Sequence, residues 1–333
     1  MNKTLANILK LTISLGIGVL IVWLTIQKLT DEQLTIVKNV FARADYKWVI
    51  IGPLIGMLSN IVRAERWKML LNSIGYEPKR MNVINSVYVM YAGNLIFPRL
   101  GEVTRCTLLY KSDNIPVDKS IGTMVLERMV DMVTMLLIGA VVIAVQYQLL
   151  FKFLSDNVLS KFSSSASGSS IQLVLLLVLV VLGLVGFYLL YRMRSNPLIG
   201  KVWGFIKGIL DGLLSIGKLK NPLLFIFYSL LIWAMYIAML VICLRALPET
   251  APLSIWAGMA TVFFGGFAFI VSQGGIGAYP LTVAGVLGIY GVPYEVGFAF
   301  GWLVWSLQTI AVIAFGVLSF ILVSRNFSVN NNT

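Results

Sequence analysis

Apolar and polar positions along this chain fall into long blocks rather than the short alternations of a soluble fold. A membrane-spanning helix takes about 20 mostly apolar residues, and six blocks reach that length: 6–27, 46–70, 121–147, 171–192, 222–245 and 294–324. They predict an all-α polytopic membrane protein. Two further apolar regions are interrupted. Residues 82–111 are broken by Gly93, Pro98 and Gly101 and then by charge, and residues 253–291 carry Gly265-Gly266 followed by the run SQGGIGAYP. Neither provides a comfortable full-length span.

Lysine and arginine stay on the cytoplasmic side during insertion, so their positions orient the blocks. The dense groups are Arg63, Arg66, Lys68, Lys79 and Arg80; then Arg99, Arg105, Lys111 and Lys119; then Arg192, Arg194, Lys201, Lys207, Lys218 and Lys220. Placing all three inside makes 82–111 enter and leave on one face, as a re-entrant or broken helical hairpin. Carried onward, the alternation makes 253–291 a second hairpin that enters from outside. The expected fold is six spanning helices plus two hairpins, with both termini cytoplasmic. The competing arrangement, eight full spans, puts the Arg99–Lys119 group outside.

Two stretches then share one order of span, hairpin, span: about 46–147 and about 222–324, the first beginning outside and the second inside. That is an inverted repeat within one integral membrane domain, 1–333. A faint echo accompanies it, GNLIFPRLGE…NIPVD against GFAFIVSQGGIG…YGVPYE. Inverted repeats built around broken helices place a binding site near the bilayer midplane. Between the halves, 193–220 spaces Val202, Phe205, Ile206, Ile209, Leu213 and Ile216 at helical periodicity among lysines, which predicts an amphipathic linker on the inner leaflet.

Composition sharpens this. The chain has 333 residues, 58% of them hydrophobic and 12% charged, against about 25% charged in soluble domains. The first block lacks a small-residue cleavage site and is read as a retained helix. A net charge of +12 allows a polyanionic partner, but the bases flank apolar segments, so anionic phospholipid is expected and nucleic acid is not. With two cysteines, Cys106 and Cys243, and no histidine, neither a disulfide framework nor a Cys/His metal site is supported, and no cofactor is expected.

The candidate chemistry lies between residues 93 and 131, because charges near hydrocarbon are costly unless paired or hydrated. Arg99 and Arg105 suit a lipid phosphate, and Glu102 suits an arginine, a proton or an amine. The plainer reading is a helical i, i+3 pair between Glu102 and Arg105. Glu127 and Asp131, beside Arg128, share a face at i, i+4. Two carboxylates there repel or share a proton unless Arg99, Arg105 or a substrate amine neutralises them, or unless they form a buried structural ion network. Arg63 and Arg66, with Trp67, read as interfacial bases and aromatic belt, or as a headgroup contact. In the second hairpin Ser272, Gln273, Gly274, Gly275 and Gly277 offer exposed amides or a tight loop. Gln308 roughly echoes Asp131 and reads as a ligand contact or an interhelical hydrogen bond.

GNLIFPRLGEVTR, LERMVD, VRAERW and QGGIGAYP together resemble the membrane region of the lysylphosphatidylglycerol synthase family, a flippase-like domain. The resemblance covers nearly the whole chain. It implies lipid translocation or handling and points by motif match to Asn94, Pro98, Arg99, Gly101, Glu102, Arg105, Glu127, Arg128, Asp131, Gly274, Gly275 and Gly277. The family often has an acid soon after the second glycine loop, where this chain has Tyr279-Pro280. No aminoacyl-transfer domain follows residue 324, so lysyl transfer is not expected. The expectation is a lipid transporter or flippase, not an enzyme, handling an anionic phospholipid or polyprenyl-linked lipid. A membrane enzyme acting on a lipid headgroup and a scaffold for a lipid enzyme are the alternatives.

Overall fold

The computed structural model describes residues 30–96, 100–157 and 219–330, together with 23–25, 27, 214, 216 and 217. Two predicted spans, 6–27 and 171–192, and most of the 193–220 linker fall outside or almost outside these residues. The chain divides into two compact units, one of residues 1–142 with 219–333 and one of 143–218. Described secondary structure is helical throughout.

The four other predicted spans are all helices long and apolar enough to cross a membrane. They are α2 (Tyr46–Ser73), α5 (Val117–Val145), α7 (Pro222–Leu244) and α10 (Tyr294–Asn330, apolar through Ser324). Large apolar side chains stay exposed along them: Leu54 and Leu58 on α2, Leu136 and Leu137 on α5, Phe227 and Leu230 on α7, and Val317 and Leu318 on α10. Faces of that extent belong in lipid. Helix α1 (Asp31–Arg43), which hydropathy alone passes over, starts with a capping box between Thr30 and Gln33. Its side chains are tied to distant residues by Gln33–Glu295 and Arg43–Glu249. Helix α6 (Tyr147–Asn157) belongs to the second unit.

Both interrupted regions are pairs of shorter helices. Helices α3 (Arg80–Ile96) and α4 (Leu100–Asp113) lie on either side of Pro98 in the sequence. At about 1.5 Å per residue neither reaches the roughly 30 Å of a hydrocarbon core. They pack closely because glycines face each other: a Cβ at Gly101 would lie 1.8 Å from the Met90 carbonyl oxygen, and one at Gly93 would lie 3.0 Å from Gly101 Cα. In the second region α8 (Ile255–Val271) and α9 (Ala278–Ile289) are separated by a single 3-10 turn, Gln273–Gly275. Gly274, Gly275 and Gly277 have φ of 60°, 76° and 71°, values that side chains with a Cβ rarely adopt. The glycines are what allow the chain to turn there.

A long helix, two short ones and a long one therefore occur twice in order, as α2 to α5 and as α7 to α10. The leading long helices, α2 and α7, pack on each other, with a Cβ at Gly52 only 2.3 Å from Cys243 Sγ. The two breaks also meet. Gln273 Nε2 donates to the Asn94 carbonyl oxygen at 2.6 Å, and Trp305 Nε1 on α10 donates to the Gly274 carbonyl oxygen at 2.7 Å.

Candidate functional site

Helix periodicity puts Arg63 and Arg66 on one face of α2, and Glu127 and Asp131 on one face of α5. Packing brings those faces together. Arg63 Nη1 donates to Glu127 Oε1 at 2.7 Å and to Asp131 Oδ2 at 2.5 Å. Arg66 Nη2 lies 2.7 Å from Asp131 Oδ1 and 3.3 Å from Glu127 Oε1. Arg105, from α4, donates to Glu127 Oε2 at 2.9 Å and stacks its guanidinium 4.1 Å from the centre of the Trp67 ring. Arg66, Arg105 and Glu127 have no solvent exposure, and Arg63 has 3%. Buried charge is tolerated only when paired and hydrogen-bonded, and this cluster meets that condition for its carboxylates.

The cations expected to neutralise the carboxylates were Arg99 and Arg105. Arg105 does so, together with Arg63 and Arg66, which the sequence places at a membrane boundary; Trp67, read there as aromatic belt, is itself fully buried. Pro98 and Arg99 lie outside the described residues. The signal for the α2 pairing was the matched spacing of two bases and two acids, each on one helical face. Three guanidiniums against two carboxylates leave one positive charge in excess. Arg63 Nε, Arg66 Nε, and Arg105 Nε and Nη1 are buried with no hydrogen-bond partner among the described residues.

From this cluster a short polar chain leads outward. Arg63 Nη2 donates to the Tyr236 hydroxyl at 3.2 Å, which lies 3.3 Å from the Tyr91 hydroxyl. Both tyrosines line a cavity of about 600 Å³. Its wall draws on both broken regions: Asn94 and Glu102 come from α3 and α4, and Ser272, Gln273 and Gly274 from the glycine turn. Arg128, Phe269, Tyr279, Trp305, Gln308 and Thr309 complete the polar and aromatic lining. Glu102 pairs with Arg128 at 3.2 Å, not with Arg105 one turn along its own helix. This pair is partly exposed, 37% for the Arg128 side chain and 20% for Glu102.

The sequence candidates thus fall into separate groups. Asn94, Glu102, Arg128, Gln273, Gly274 and Gln308 line the cavity; Arg63, Arg66, Arg105, Glu127 and Asp131 form the buried cluster beside it; Gly101, Gly275 and Gly277 shape the backbone. Tyr91, Tyr236 and Trp305 are lining residues not singled out from sequence, although tyrosine in the otherwise apolar α7 was a usable signal. Chemically, the cavity offers one guanidinium, neutral amides and hydroxyls, and aromatic faces, next to a cluster with surplus positive charge.

Residues 7–316 match the family described as lysylphosphatidylglycerol synthase TM region. The glycosyltransferase AglD of Haloferax volcanii is 25% identical over 135 residues, 40% of this chain and 22% of that protein. The UPF0104 membrane protein MJ1595 of Methanocaldococcus jannaschii is 27% identical over 125 residues, 37% of each chain. The matched stretch spans well under half the length of either relative, and no solved structure gives a significant match. With the family match running through nearly the whole sequence, this membrane protein belongs to the lysylphosphatidylglycerol synthase TM region family.

Proposed function

We propose that this protein is a lipid transporter of the flippase type, moving an anionic phospholipid or polyprenyl-linked lipid between the leaflets of a cytoplasmic membrane. The observation that carries the reading is the 600 Å³ cavity walled by both broken helical regions and holding the partly exposed Glu102–Arg128 pair. Ligand sites of about 300–1,000 Å³ hold drug-sized molecules. A lipid headgroup fits, while its tails remain in the bilayer alongside the apolar helices.

In this reading α3–α4 and α8–α9 are re-entrant hairpins of an inverted repeat with six spans, which alternately open the cavity to either side. Arg128 is the group that touches the anion, through its unpartnered Nε, while Glu102 keeps its contact with Arg128 Nη2. The buried cluster holds α2, α4 and α5 together and, through Arg63 and Tyr236, biases the cavity toward anions. Glu127 and Asp131 position these helices and do not themselves touch the lipid.

The test is reconstitution of the full chain in vesicles with fluorescent phospholipids and an impermeant quencher. Wild type is expected to equilibrate anionic lipids between leaflets, and Arg128→Ala to lower the rate at least tenfold. Equal rates for wild type, Arg128→Ala and empty vesicles remove the proposal. Mass analysis of the same lipids separates transport from headgroup chemistry, since an enzyme changes covalent structure and a transporter only location.

A further inference from the structure

The cavity wall is chemically uneven. Among the described lining residues Glu102 is the sole carboxylate, and it is committed to Arg128 at 3.2 Å. A headgroup ammonium entering here meets no free acid and faces a neighbouring cluster with surplus positive charge. Its desolvation therefore goes uncompensated.

Neutral hydrogen-bonding groups are plentiful by contrast. Several are already used: Gln273 Nε2 by the Asn94 carbonyl oxygen, and Asn94 Oδ1 by the Gly101 amide at 3.0 Å. Two are not. Ser272 Oγ, on a residue 2% exposed, and Gln308 Oε1 are buried with no partner among the described residues, and both residues line the cavity. A buried unsatisfied polar atom is costly, so a ligand that meets both regains that free energy. The Gln308 carbonyl accepts and needs a donor. Phosphate oxygens without protons cannot supply one, whereas a hydroxyl supplies both a donor and an acceptor without adding charge.

Aromatic faces complete the pattern. Trp305 is held by its bond to the Gly274 carbonyl oxygen, and Phe269 and Tyr279 stand with ring centres 5.6 Å apart. Flat apolar faces with polar edges fit a ring whose own faces are C–H and whose rim is hydroxyl.

We infer that the headgroup taken by this cavity is a phosphate bearing a neutral polyhydroxylated ring, a sugar or a cyclic polyol, rather than a phosphate bearing an amine. The inference rests on the cavity being the lipid site of the transport reading. Arg128, whose Nε has no partner among the described residues, receives the phosphate; Gln308 and Ser272 receive ring hydroxyls; Trp305 or Tyr279 covers a ring face.

Binding to the full chain in nanodiscs is measured with short-chain probes. Dihexanoyl phosphatidylinositol carries the inferred headgroup on glycerol, and citronellyl phosphoglucose carries it on an isoprenoid. Dihexanoyl phosphatidylethanolamine replaces the ring by an amine, and a short-chain glucosyl diacylglycerol lacks the phosphate. At least one of the first two is expected to bind ten times more tightly than both of the others, and the tighter of the two identifies the lipid class. Gln308→Leu is expected to lose about tenfold for that probe, the scale of one hydrogen bond, with little change for phosphatidylethanolamine. Ser272→Ala provides a second, smaller change at a separate atom.

Phosphatidylethanolamine binding as tightly as both ring-bearing probes overturns the inference, as does an unchanged ring-probe affinity in folded Gln308→Leu and Ser272→Ala. The vesicle assay keeps the two readings apart. Transport of amine-bearing lipids at equal rates leaves the transporter standing without this specificity, and selective binding without transport does the reverse.

Discussion

Glu127 makes contact with three guanidiniums and Asp131 with two. Removing one partner of a buried ionic group leaves the others uncompensated and costs about 3–5 kcal/mol. Glu127→Gln is therefore expected to lower the unfolding temperature in detergent substantially, and Asp131→Asn by less, as read by thermal unfolding of the purified protein. Arg128→Met behaves differently. Its side chain and that of its partner Glu102 are partly exposed to the cavity, where an ion pair contributes less than a fully buried one. On the transport reading, that variant should unfold within a few degrees of wild type while losing lipid transfer, which separates lipid contact from helix positioning.

Between elements, glycines set how closely helices approach. At Gly101 an added Cβ would strike the Met90 carbonyl oxygen, backbone that cannot rotate away, whereas at Gly122 on α5 a Cβ meets nothing within 4 Å. Gly101→Ala is expected to destabilise by at least the roughly 1–3 kcal/mol of an overpacked contact. Gly122→Ala should be neutral or should stabilise by up to about 1 kcal/mol through helix propensity. Paired thermal melts of the two variants check the contrast: equal effects would mean that α3 and α4 are not in close contact. Where the second break lies, the glycine run made the turn legible from the sequence, and the structure gives Gly274, Gly275 and Gly277 positive φ, a backbone few other residues adopt.

Across the whole molecule, the hairpin reading makes one further prediction. Lys111 and Lys119 are exposed, and both native cysteines are buried and free, so single cysteines at 111 and 119 can be labelled over a low background. If α3–α4 is re-entrant, an impermeant maleimide should reach both only from the cytoplasmic side, as it should a cysteine at Lys79. Labelling of 111 and 119 from the outside would instead favour eight full spans.

Hydropathy by itself determined that this is a helical membrane protein, located the four described spans, and placed both interruptions, because lipid admits only long apolar segments with their backbone groups satisfied internally. It also located Glu127 and Asp131, because intramembrane charge is rare enough to stand out, and placed Arg63 and Arg66 at a span boundary. Which charges meet which was decided only by tertiary structure. Glu102 turns from Arg105 to Arg128, and Arg63 and Arg66 leave their expected boundary role to hold α5. Local spacing reports neighbours along one helix, whereas these pairs span 26, 64 and 65 positions and depend on how glycine-lined helices pack. The cavity is the same case: its wall is assembled from seven helices and a turn whose residues share no local pattern.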